Sequence, residues 1–394
     1  MSFLNDVKKV LSENIREYGM YIALFVIFVI FTLTTDGVFI SPRNISNLLN
    51  QTGYIAVLAV GMTLVIVIRH IDLSIGFLAG FLGAVAAIAL SFWEMPVWLV
   101  IPMVLVLGVL AGLLTATPVA LLKIPSFVAS LAGWLIYRGA LVLVTAGTGT
   151  IIVTDKIFNA LGNGYIPDLP LESFLPGVHK ITLLLGVLAI VLFVFGQIRT
   201  RKKMQAYNFE VLPFNMFVLT LVFVALLIGA ITWVLSGYNG MSWTVVIMLL
   251  VVAIWHFVTT QTVLGRHIYA IGGNPEAAEL SGISVKKLIF IVFGSMGLLT
   301  ALSGILFTSR LQSATTTAGT LFELDAIAAA YVGGVSAAGG VGNVIGSIIG
   351  ALVMTSLTNG MNLMGIDISM QYIVRGAVLA LAVIFDVTTR NRSK

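Results

Sequence analysis

Long apolar runs, separated by short loops that hold most of the basic residues, leave this chain few folds to adopt. Runs such as 214–235 and 288–306 are largely apolar at consecutive positions. A membrane β-barrel would instead alternate apolar and polar side chains over strands of about ten residues. The runs suit α-helices, which need about 20 residues to cross about 30 Å of hydrocarbon at 1.5 Å per residue. Charged residues supply only 9% of the 394 positions, against about 25% in a soluble domain. The expected fold is therefore all-α, a polytopic transmembrane helical bundle forming a single domain over 1–394. Its apolar segments fall at 20–35, 52–68, 73–90, 97–117, 126–146, 181–197, 214–235, 242–260, 287–308, 323–337, 342–358 and 370–386. Some are short enough to be half-helices, so about ten to twelve membrane segments are expected.

The formal charge of +5 does not point to nucleic acid, because its placement follows the loops. Lys8, Lys9 and Arg16 precede the first segment, and Arg199, Arg201, Lys202 and Lys203 follow the sixth. Arg266, Lys286 and Lys287 bracket a later loop, and Arg390, Arg392 and Lys394 close the chain. With Arg69 and Lys123 these all fall on one side of the expected topology, whereas Arg43, Lys156, Lys180 and Arg310 fall on the other. The positive-inside rule then places both termini in the cytoplasm. Residues 1–19 read as a short amphipathic cytoplasmic lead without the apolar core of a cleavable signal. Cysteine is absent, which removes disulfides and thiolate metal centres.

Two polar stretches stand out. The 147–179 loop lies outside in this topology, and its interspersed Ile151, Ile152, Phe158, Ile166 and Phe174 suggest an ordered cap. It is either a plain surface loop or a docking surface. The 262–287 stretch is cytoplasmic. There Asn274 offers a capping side chain, Pro275 fits the first helical position, Glu276 suits the positive end of the dipole, and Gly282 is a natural stop. A helix of about seven residues follows, too short to stand without tertiary or partner contacts.

Glycine is abundant, at 39 residues. Gly76, Gly80 and Gly83, Gly108 and Gly112, and Gly342, Gly346 and Gly350 recur at helical spacing, which lets neighbouring backbones approach closely. Tight packing and a sliding or hinging face both fit that pattern. The glycine pairs in 331–342 suggest a broken or re-entrant element beside a conducting path, since non-helical backbone at membrane depth survives only inside protein or next to water. Asp72 and Ser74 mark a comparable interruption in 71–76.

Enzyme signatures are missing. No glycine-rich loop ends in the Gly-Lys-Ser or Gly-Lys-Thr that wraps nucleotide phosphates. His70, His179, His256 and His267 lack metal-ligand spacing. What remains are intramembrane ionisable groups, which are costly to bury unpaired. Arg138 and Arg375 fall inside helices, Glu323 and Asp325 at the outer edge of the tenth segment, and Arg69 and Asp72 near the inner end of the second and third. Arg–carboxylate pairs among them would lock helices or close a gate. Asn47, Asn50, Gln51, Thr52, Asn359, Asn362 and Gln371 are neutral hydrogen-bonding groups near the outer mouth, suited to a hydroxylated solute or to satisfying backbone groups.

Several stretches together resemble one family. They are Asn47 to Gln51, Gly61-Met62-Thr63 leading to 71–76, Ile124-Pro125-Ser126-Phe127 with Arg138-Gly139, 265–282, and Glu323-Leu324-Asp325-Ala326 through the glycine pairs at 333–342. The chain resembles, over nearly its whole length, the permease subunits of bacterial ABC sugar importers of the ribose/xylose/galactose branch, most closely the xylose type. The resemblance implies a multi-pass protein of the bacterial cell inner membrane, surrounded by membrane lipid. It implies a second permease copy, a cytoplasmic tandem-domain ATP-binding protein and a periplasmic sugar-binding protein as partners. ATP and magnesium would then sit on the ATP-binding partner, with no cofactor or metal held by this chain and no covalent change made to the sugar. It also makes 262–287 a coupling region in which Arg266, Asn274, Glu276, Glu279 and Gly282 transmit closure of the ATPase. Asn47, Gln51, Asp72, Ser74, Arg138, Glu323, Asp325, Asn359, Gln371 and Arg375 become candidates for the translocation pathway or gate. Xylose leads galactose and other monosaccharides as cargo. The main alternative is an ion-coupled secondary transporter with a charged midplane site and inverted repeats. A membrane enzyme and a purely structural protein lack supporting residues.

Overall fold

The structure, a computed structural model, describes residues 15–170, 176–209, 211 and 213–392. Most of the expected lead, with Lys8 and Lys9, and the 171–175 part of the outer loop lie outside the described residues. The fold is a polytopic helical bundle. Its helices are α1 (Ile15–Thr34), α2 (Pro42–Val67), α3 (Ile75–Ser91), α4 (Val97–Leu122), α5 (Ser126–Thr145), α6 (Lys156–Asn163), α7 (Lys180–Ala206), α8 (Phe214–Ser236), α9 (Trp243–Gln261), α10 (Val263–Gly273), α11 (Pro275–Leu280), α12 (Val285–Leu311), α13 (Phe322–Val332), α14 (Val344–Leu363) and α15 (Ile368–Arg392). Among the described residues, nine of these are long and apolar enough to cross a membrane, and α3 and the 19–34 part of α1 are shorter apolar helices. The described strands are a two-residue antiparallel pair, β1 (Ile151–Ile152) and β2 (Ser313–Ala314).

The chain divides into two compact units. One contains Ile40–Asn47 and Tyr165–Ser242. Its body is the α7–α8 hairpin, where Gly186 lets α7 close onto Thr232. Most side chains along both helices face outward. A polar knot fixes one end. His179 Nδ1 accepts from the Thr182 amide at 3.3 Å, and its Nε2 donates to the Ile166 carbonyl at 2.9 Å. Asp168 accepts from the Ile181 amide at 3.0 Å and lies 3.4 Å from Lys180 Nζ.

The other unit contains Arg16–Phe39, Leu48–Gly164 and the residues from Trp243 onward. Buried α2, α12 and α14 form its centre, whereas α5 and α15 turn most of their side chains outward. Glycines set the spacing here. A Cβ on Gly108 or Gly112 of α4 would run into the backbone of Gly297 or Phe293 on α12. One on Gly80 or Gly76 of α3 would strike the Ala318 or Gly319 carbonyl, and one on Gly350 of α14 the Ala329 carbonyl on α13. The small-residue strips of the sequence are thus places where backbones touch, the close approach that Gly permits and a side chain forbids.

The expected break is present. The 323–337 segment is helical only to Val332, and α14 restarts after Asn343, whose side chain accepts from the Ile345 amide at 3.0 Å. Between them Gly334, Gly339 and Gly340 adopt positive φ of +88°, +80° and +74°. The 147–179 loop carries the β1 strand and α6, started by Asp155 accepting from the Phe158 amide at 2.8 Å. Two expectations need revision. The second apolar segment begins not at 52 but at Pro42, because proline suits the first turn of a helix. That puts Asn47, Asn50 and Gln51 on α2 rather than ahead of it. The 262–287 stretch holds two helices, since Thr262 caps α10 by accepting from the Gly265 amide at 3.2 Å before Asn274 caps α11.

Candidate functional site

Two groups of residues lie in the second unit, one around α5 and α13 and one around α10 and α11. The first begins with Glu323. It stands in the first turn of α13, 4% exposed, and its Oε1 accepts from Trp134 Nε1 of α5 at 3.0 Å. Its Oε2 has no hydrogen-bond partner and lies where a Cβ on Gly76 would fall. Glycine at 76 is what admits the carboxylate. Trp134 meets Phe77 edge-on with ring centroids 4.9 Å apart. The Arg138 guanidinium lies over both rings, 5.4 Å from Trp134 and 5.6 Å from Phe77. Arg138, exposed on α5, therefore holds aromatic faces, a cation–π arrangement, and no carboxylate among the described residues.

Arg375 of α15 and Asp325 of α13 form that kind of pair. Arg375 Nε donates to Asp325 Oδ1 at 2.9 Å, and the two groups make a second, shorter contact through Nη2 and Oδ2. Nearby on the same helix start, Phe322 stacks on Tyr54 of α2 at 5.2 Å and meets Phe307 of α12 edge-on at 4.9 Å. The amides pair among themselves as well. Asn359 donates to Gln51 at 3.4 Å, and Gln371 Nε2 donates to Asn362 at 2.7 Å and to the Ile366 carbonyl at 3.0 Å. Thr52 bonds to Thr355 at 2.6 Å inside the core. Asn47 falls in the other unit, is half-buried and also holds a partner. Asp72 is used locally: its Oδ1 accepts from the Ser74 amide at 2.9 Å and from the Ser74 hydroxyl at 2.6 Å, forming the turn before α3.

The second group is built by capping. Asn274 accepts from the Ala277 amide at 3.1 Å, Pro275 takes the first helical position, and Gly282 ends the element at φ +85°. On α11 only Ala278 is buried; Glu276, Ala277 and Glu279 face out, as does Arg266 on α10. Among the described residues, Arg266 makes no ion pair with either carboxylate. Leu280 is 91% exposed at the tip, more than any other large apolar side chain described, and sequence reasoning missed it.

This surface is anchored from behind. Arg69 Nε donates to the Gly272 carbonyl at 2.7 Å, and Nη2 donates to that of Gly273. The Gly340 amide reaches the Val67 carbonyl at 2.9 Å, and the Tyr269 hydroxyl reaches the Gly342 carbonyl at 2.7 Å. Asp386 of α15 accepts from the Ala337 amide at 3.1 Å. The glycine break is thus tied to α2, α10 and α15 at the foot of α11. Trp134 could have been found, since it lies one turn before Arg138 on the same helix face. Asp386, Tyr54 and Phe307 carry no such local signal.

Comparison with known proteins agrees with this architecture. A family model described as branched-chain amino acid transport system / permease component matches residues 44–383. The xylose transport system permease protein XylH of Escherichia coli (strain K12) is 41% identical, over 97% of this chain and 94% of that protein. The XylH of Haemophilus influenzae is also 41% identical, over 98% and 99%. The ribose import permease protein RbsC of Haemophilus influenzae is 35% identical, over 94% and 93%. No solved structure matches the chain.

Proposed function

Because the chain belongs to the family of branched-chain amino acid transport system permease components, and aligns almost end to end with sugar permeases, we propose that it is the membrane subunit of an ATP-driven monosaccharide importer. The observation that carries the reading is the 41% identity to xylose permeases across nearly both full lengths. Ribose permeases match less closely, at 34–35%, so xylose leads as cargo. In this reading a sugar-binding protein delivers the solute from the periplasm, two permease copies carry it across, and a cytoplasmic ATP-binding protein drives the cycle. ATP and magnesium act on that protein, and this chain performs no covalent chemistry. The protein sits in the bacterial inner membrane with both termini in the cytoplasm.

The α10–α11 surface is the docking point for the ATPase. A six-residue helix is too short to be stable alone, yet it presents Glu276, Glu279 and an almost fully exposed Leu280. An apolar tip flanked by charges suits a groove in a partner, where a buried aliphatic anchor is ringed by polar contacts. The Arg69 contacts tie that surface to the end of α2, where the Gly340–Val67 bond also anchors the glycine break, and this end of α2 is its route to the membrane core. The Asp325–Arg375 pair and the Gln51–Asn359 contact are its candidate gate elements.

The test is ATP-dependent uptake of labelled xylose, ribose and galactose into proteoliposomes that hold this chain with its ATPase and binding protein. Uptake of xylose that needs all three components is the expected result. Uptake by this chain alone under a proton or sodium gradient would replace the importer with a secondary transporter.

A further inference from the structure

Arg138 is an exposed cation near the middle of a membrane helix. It is the thirteenth residue of α5, which has 20 residues, so it lies roughly 18 Å along a helix of roughly 30 Å. Long basic side chains at such depths usually snorkel toward the nearer interface. Arg138 does the reverse. Its guanidinium turns back one helical turn and rests over Trp134 and Phe77, at mid-helix rather than toward the closer end at Thr145. Among the described residues it makes no hydrogen bond or ion pair, so its N–H groups face away from the chain's own acceptors. Leu135 beside it is 61% exposed. A charged group at this depth is tolerated where it faces the protein interior or a water-filled cavity, not hydrocarbon. The α5 face is outward in the single chain, so water or another molecule has to meet it in the membrane.

We propose that the Arg138–Trp134–Phe77 shelf is a sugar station on the translocation path, with the α5 face lining water and the Arg138 N–H groups donating to substrate hydroxyl oxygens. The proposal rests on the reading of the chain as a sugar permease. The chemistry suits a neutral polyhydroxylated solute, since an Arg fork offers several donors to hydroxyl oxygens. Cation–π contact holds the guanidinium in place without a carboxylate that would compete for its donors. Glu323 serves as a positioning residue, because its bond to Trp134 Nε1 fixes the indole on which Arg138 rests.

The chain has no cysteine, so single cysteines report on their surroundings without further engineering. In the assembled complex in proteoliposomes, L135C and R138C should react with a membrane-impermeant sulfonated maleimide. L188C on α7 and L226C on α8, both outward-facing, should react at least tenfold more slowly. Labelling of L135C no faster than these controls overturns the proposal. R138Q should lower xylose uptake at least tenfold, with ATPase stimulation by the binding protein kept within about twofold, and R138K should recover part of the uptake. Wild-type uptake by R138Q overturns the sugar role. Absence of uptake in the wild-type complex sinks the importer reading itself, while the labelling result still decides whether α5 faces water.

Discussion

Arg375 and Asp325 lie fifty residues apart, and nothing local announces that they meet. A mid-helix arginine was recognisable as a residue needing a partner; which of the few carboxylates would serve was not. The pair is mostly withdrawn from solvent, with about 15% of each side chain exposed. Removing one partner of such a pair costs about 3–5 kcal/mol, because the other is left buried and unpaired, whereas replacing both with apolar groups is far milder. D325N and R375M should each lower the melting temperature in detergent markedly, and D325L/R375M should restore much of the loss. A double variant as unstable as the sum of the two singles would show that they do not act as a pair. Asp168 makes a prediction in pH. Partial burial pushes its carboxyl up, but amides of Ile181 and Leu169 and the charges of His179 and Lys180 outweigh this and hold it at about 2. A carboxyl depressed in the folded state adds stability above its unfolded value of about 3.9, and loses it as pH falls toward 2. Thermal stability of the wild type should therefore fall more steeply than that of D168N between pH 4 and 2. Parallel curves would remove Asp168 from the account.

At the scale of elements, starts and stops were the most legible features. Asn274-Pro275 and Gly282 bound α11 as their chemistry requires, and the glycine pairs mark the break between α13 and α14. What stayed hidden was long-range. The β1–β2 pairing joins residues about 160 positions apart through two residues on each side, too few to leave a period in the sequence. The α10 helix was missed because it is short, with Val263, Leu264, Ile268 and Ile271 as its apolar face, and polar residues around it made the whole stretch read as a loop. Leu280 escaped notice because exposure belongs to the fold rather than to a motif. If α11 seats the ATPase, L280A should lower coupled uptake and binding-protein-stimulated hydrolysis about tenfold by removing a central apolar anchor. E276Q/E279Q should have a smaller, salt-dependent effect, as rim charges do. Normal activity in L280A, with the complex assembled, would move the docking site elsewhere.

For the whole molecule, contacts sort the helix ends of the larger unit into two sets. Val67, Gly272 and Gly340 meet at one end. Ser91 and Ile152, with Gly162 and Ser309, meet at the other. Asp386 reaches Ala337 at the first end, which places the close of α15 there. Phe31, near the close of α1, packs against Gly360 near the far end of α14, so α1 starts at the first end too. Reporters fused to the two termini should read the same compartment, the cytoplasm; opposite readings would break this assignment. One feature of the core bears on how such a machine moves. Where Gly108 faces Gly297 and Gly112 faces Phe293, backbone rests on backbone, and no flexible side chains lie between to absorb a displacement. The 27-residue α12, about 40 Å long, is thereby held at a fixed distance from α4 at these points. Were a shift applied beside α11, α12 would have to carry α4 with it at these two contacts, since neither backbone can yield to the other there.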